Sequence, residues 1–110
     1  MTTPQYSTSS RTIWERDKLS VDVALSHDGD LTFSGQDLSG HPWSEYEYWL
    51  TVKAADVRKV TAALGGAPGS DVLALLDENA EAIVREVGEK AWLKNHSIPA
   101  TFWSRIEPAE

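Results

Sequence analysis

From Leu19 to Leu25 apolar and polar residues alternate without a break. Leu19, Val21, Val23 and Leu25 fall on one side, and Ser20, Asp22 and Ala24 on the other. A period of two with one apolar side predicts a half-buried strand. Ile13 and Trp14 belong to a preceding strand or to the start of the same one, and Asp17-Lys18 reads as either a turn or a bulge between them. His27-Asp28-Gly29-Asp30 follows, and Asp-Gly between alternating runs is a strong hairpin signal because glycine accepts the positive φ of a tight turn. Leu31 to Gly35 is then the return strand, with Leu31 and Phe33 inward. Gly40 and Pro42 mark 37–44 as a loop. Glu45 to Lys53 is a further strand, with Tyr46, Tyr48, Leu50 and Val52 on one face and Glu45, Glu47, Trp49, Thr51 and Lys53 on the other.

The period changes after Lys53. Val57, Val60, Thr61 and Leu64 recur at helical spacing, and Gly65-Gly66 stops that helix. Ser70 is the expected N-cap of the next helix, with Asp71 at the positive end of its dipole. Leu73, Leu76, Ala80, Ile83, Val84 and Val87 form its apolar stripe, and Gly88 is placed to end it. Glu89 to Asn95 is a shorter helix carrying Trp92 and Leu93, broken at Ser97-Ile98-Pro99 because the residue before proline is steered from helix. Thr101 to Ile106 is a candidate short last strand.

Strands followed by helices predict an α+β fold: an antiparallel meander of three to four strands, two to three helices on one face, and a possible short C-terminal strand. The expected core is Leu19, Val21, Val23, Leu25, Leu31, Phe33, Leu50, Val52, Val57, Val60, Leu64, Leu73, Leu76, Ile83, Val84 and Val87. The 110 residues are enough for one domain. It is expected over 11–106, after a disordered polar leader at 1–10 and before a short tail at 107–110.

Composition narrows the function. The chain has no cysteine, which excludes thiol catalysis, thiolate metal sites and disulfides. No apolar run reaches the roughly 18 residues of a membrane helix, and the first ten residues lack the layout of a secretory signal, so a cytoplasmic protein is expected. Ten basic against 17 acidic residues give a net charge of -7. That sign disfavours nucleic acid and anionic membranes as partners. The excess comes from two stretches: Asp28, Asp30, Asp37, Glu45 and Glu47 against Lys53, and Asp71, Asp77, Glu78, Glu81 and Glu86 against Arg85. Such surfaces keep a protein soluble and can attract a basic partner.

Catalytic motifs are absent. There is no Gly-x-Ser-x-Gly turn. His27 sits at a hairpin tip, His96 at a helix end, and His41 in a loop with Asp37 and Trp43 that could form a small-ligand or enzymatic pocket. These three histidines lie 14 and 55 residues apart, too far for a local zinc motif. Asp28-Gly29-Asp30 lies between strands, unlike an EF-hand loop between helices, so no metal is expected. Gly65 to Gly69 lacks the Gly-Lys-Ser/Thr of a P-loop, and no cofactor is expected.

The aromatic content stands out: five Trp, at Trp14, Trp43, Trp49, Trp92 and Trp103. Trp49 either anchors an interface with Glu45 and Glu47 or packs under the C-terminal segment against Trp103. Ser34 to Gly40, Glu45 to Val52, Ala63 to Gly66 and Phe102-Trp103-Ser104-Arg105 together resemble a family of short uncharacterised bacterial proteins, which assigns no residue a role. By size and charge the chain is also similar to immunity proteins and antitoxins. The expected function is a non-enzymatic protein-binding module, immunity-like or antitoxin-like, using Glu45, Glu47, Trp49 and Trp43. A ligand loop at Asp37, His41 and Trp43 and a homo-oligomer built by strand edges are the alternatives.

Overall fold

A computed structural model describes residues 7–38 and 43–108. Five antiparallel strands form one sheet in sequential order: β1 (Ser7–Arg16), β2 (Leu19–Ser26), β3 (Leu31–Asp37), β4 (Trp43–Val52) and β5 (Thr101–Pro108). Between β4 and β5 lie α1 (Ala54–Ala63), α2 (Val72–Glu78), a π-helical turn (Glu81–Val87) and α3 (Glu89–Asn95). The fold is α+β. Thr51 of β4 pairs with Thr101 of β5, so the whole helical layer is an insertion within one β4–β5 pairing. The last strand is thus a full eight-residue edge, longer than the short strand expected.

The turns follow from local chemistry. Asp17 and Lys18 both have positive φ, at 54° and 67°, and Arg16 pairs with Leu19. This is a two-residue primed turn, whose twist matches that of the strands. β1 therefore precedes β2 as a separate strand. It begins at Ser7, so the last four residues of the expected leader are strand, while residues 1–6 lie outside the described residues. Register shifts in β1 between Thr12 and Trp14 interrupt the alternation, and the consecutive Ile13 and Trp14 are both buried. At the β2–β3 hairpin the Ser26 amide donates to Asp30 O at 2.9 Å, and Gly29 takes a φ of 91°.

Helix α1 ends in a Schellman motif: Gly65 has φ 81°, its amide donates to Ala62 O, and the Gly66 amide donates to Thr61 O. α3 ends the same way with Ser97 at φ 59°, the Ile98 amide donating to Leu93 O at 2.9 Å. The cap of α2 is Asp71 rather than Ser70, its Oδ1 accepting from the Leu73 and Ala74 amides at 3.1 and 3.2 Å. Asp71 sits one residue nearer the first turn, which brings its carboxylate within reach of both free amides.

One face of the sheet meets the helices. Val21, Val23, Leu31, Phe33, Leu50 and Val52 are buried there against Val60, Leu73, Leu76, Ile83 and Leu93. Each such side chain contributes about 1.5–3 kcal/mol of transfer free energy before ordering is counted. Leu19, Leu25, Val57 and Leu64, also expected in the core, are only partly buried at its margin. Val87 is exposed instead of buried: the Gly88 amide donates to Ile83 O at 2.7 Å, a widened turn that breaks the 3.6-residue stripe. Trp92 and Ile98 complete the core from the C-terminal side.

Candidate functional site

Among the described residues no helix lies on the other face of the sheet. Cross-strand partners share a face, so the register assembles it row by row. Ser20, Gln36, Glu47 and Arg105 form one row; Asp22, Ser34, Trp49 and Trp103 form the next; Ala24, Thr32, Thr51 and Thr101 the third. The Trp49 and Trp103 rings pack with centroids 4.5 Å apart at 45°. Trp49 is half-buried, and Trp103 remains 59% exposed. Ser34 is small, so the sheet dips beside Trp49 into a shallow depression of about 200 Å³ bounded by Asp22, Gln36 and Glu47.

The polar groups around the indoles are tied together. Gln36 Nε2 donates to Glu45 Oε2 at 2.8 Å, and Arg105 Nη2 donates to Glu47 Oε1 at 2.7 Å. Thr12 Oγ1 donates to Asp22 Oδ1 at 2.7 Å. The Glu47–Arg105 pair is partly exposed and contributes at most about 1 kcal/mol to stability. Its effect is geometric, because it holds the Glu47 carboxylate between β4 and β5. Among the described residues this face carries Glu15, Asp22, Glu45 and Glu47 against Arg105, a net negative surface around an exposed indole pair.

On the helix side a second polar arrangement joins β4 to α3. Tyr48 lies over Gly35, where a Cβ would overlap its ring. This explains a glycine inside a strand. The Tyr48 hydroxyl donates to Glu89 Oε1 at 2.8 Å. Glu89 is only 6% exposed, and its Oε2 has no hydrogen-bond partner among the described residues. Burial pushes the Glu89 carboxyl above its ordinary value, and the Tyr48 bond partly opposes that. Burial, then the Glu89 charge, pushes the Tyr48 phenol up. Tyr46 and Phe102 flank Tyr48 at 5.7 and 6.5 Å, and Lys90 Nζ lies 4.1 Å over the Phe102 ring. An open cleft of about 510 Å³ runs past these rings and Val87. Among the described residues no histidine joins it; His27 and His96 are exposed, and His96 packs on Trp92 at 4.6 Å.

The structure thus brings Glu45, Glu47 and Trp49 together on the open face. Trp43 belongs to β4 opposite Pro108, and its side chain lies outside the described residues. Of the alternative loop, Asp37 is the last residue of β3, opposite Tyr46, while His41 lies outside the described residues. Sequence reasoning misses Gln36, because the expected return strand stops at Gly35, two residues short of the end of β3, and Arg105, whose partner is 58 residues away. It also misses Glu89, because its charged neighbours Glu86 and Lys90 give the junction the pattern of a solvated surface. Among the described residues no cluster of His, Asp or Glu could hold a metal ion, and no helix is long and apolar enough to cross a membrane. No protein-family model matches the chain, and no match was found among curated proteins or solved structures.

Proposed function

We propose that the protein is a non-enzymatic binding module that grips a basic protein partner with the open face of its sheet, in the manner of immunity proteins and antitoxins, in the cytoplasm. One observation carries the reading: an indole exposed to 59% stands on β5, backed by Trp49 and ringed by tethered carboxylates, on a face that no helix covers among the described residues. A large ring that loses little side-chain entropy on docking is a typical interface anchor, and surrounding charge sets partner choice and encounter rate. No cofactor enters this reading.

The test is capture of host proteins on the immobilised chain at low and high salt, repeated with Trp103→Ala and with the Glu45→Gln, Glu47→Gln pair. A basic polypeptide retained by the wild type, lost with Trp103→Ala and weakened by salt or by the Gln pair is expected. Capture that is indifferent to Trp103 would refute the face. Capture indifferent to salt would refute the charge argument.

A further inference from the structure

The exposed large apolar residues concentrate on one edge. Phe102, Trp103 and Ile106 are 40%, 59% and 51% exposed, and all three lie on β5. β5 pairs with β4 on one side and with no strand on the other among the described residues. The opposite edge is built differently. β1 carries two register shifts, between Ser7 and Ser9 and between Thr12 and Trp14, with Arg11 and Arg16 along it. Bulges and charges of that kind blunt an edge against further pairing. On β5 the register with β4 runs unbroken from Thr101 to Glu107.

We infer that β5 is a self-association edge, and that a second copy of this chain pairs with it antiparallel about Ser104. A two-fold axis normal to the sheet keeps every residue on its own face, so only residues of like face can oppose one another. Centring on Ser104 sets Phe102 against the partner's Ile106 on the helix side, twice by symmetry. On the open side it sets Trp103 against the partner's Arg105, a guanidinium over an indole. Arg105 is itself 54% exposed and can reach across while holding Glu47. Neighbouring registers fail. Centring on Arg105 opposes two like charges, and centring on Trp103 sets Phe102 against Ser104 and leaves the Ile106 side chain beyond the apolar seam. Pro108 ends the pairing, since proline has no amide to donate.

In this assembly the two sheets become continuous and both helical layers lie on the same side. The two Trp49–Trp103 pairs flank the seam on the open face, each Trp103 beside the other copy's Arg105. Trp103 is shared with the proposed partner face, so the inference is tested on the purified protein alone, where no other partner is present. The chain has no cysteine, so Ser104→Cys introduces a single thiol that meets its own copy at the axis, within disulfide reach. Ser9→Cys, exposed on the opposite edge, is the control. Under air the Ser104→Cys protein is expected to cross-link into a covalent dimer at least tenfold faster than Ser9→Cys. Sedimentation equilibrium is expected to show a twofold mass that falls to monomer on dilution, and Ile106→Lys to hold the monomer with unchanged circular dichroism. A monomer at every concentration, or cross-linking at Ser104 no faster than at Ser9, overturns the inference, and it does so even if Ile106→Lys fails to fold.

Discussion

Glu89 gives the protein a dependence on pH whose sign and slope follow from its surroundings. Its folded-state pKa is raised above the ordinary 4.5 by burial. Below about pH 4.5 both folded and unfolded chains hold the proton, and the stability associated with this group is complete. As pH rises past that point the unfolded chain releases the proton while the folded chain keeps it. The unfolded state then binds one proton fewer, and stability falls by about 1.4 kcal/mol per pH unit until the folded pKa is reached. Glu89→Gln keeps the shape and an oxygen to accept the Tyr48 hydroxyl, but it does not titrate. Urea unfolding of both proteins at a series of pH values from about 4.5 toward neutral measures the difference directly, since every other titrating group is shared. The variant should gain on the wild type by about 1.4 kcal/mol for each pH unit and then level off. Parallel curves through that window would refute the buried, proton-retaining carboxyl.

Other substitutions probe the same framework. Tyr48→Phe removes the hydroxyl that donates to the buried Glu89 Oε1 and is expected to destabilise by about 1–3 kcal/mol, read as a lower urea midpoint. Gly35→Ala drives a methyl into the Tyr48 ring and should cost a similar ~1–3 kcal/mol; an unchanged midpoint would mean that the ring is free to leave. Gly65→Ala and Ser97→Gly should move stability in opposite directions, because both positions need a positive φ. The first costs about 1–2 kcal/mol, and the second relieves a strain of that size, partly offset by a more flexible unfolded chain; thermal unfolding of the pair decides. Trp103→Ala removes a largely exposed ring and should change stability by less than about 1 kcal/mol while abolishing partner capture.

The local pattern determined a good deal by itself. Strict alternation from Leu19 to Leu25, Asp28-Gly29 between apolar runs, and the Gly65-Gly66 stop each act over a few residues, where sterics and side-chain period leave little choice. These elements stand in the structure as read, and with them the placement of Glu45, Glu47 and Trp49 on one face of β4. What needed the tertiary structure is everything that depends on partners far along the chain. Thr101 to Pro108 alternates too weakly to declare an edge strand; it becomes one because the helical layer returns the chain to the end of β4, setting Trp103 against Trp49 and Arg105 against Glu47. Val87 leaves the core through a widened turn, and Glu89 enters it because Gly35 lets Tyr48 lie flat enough to meet it. Short-range periodicity reports which side of an element is apolar, but only packing decides which of two apolar or polar sides is covered. The indole pair on the open face and the carboxyl in the interior are both outcomes of that choice.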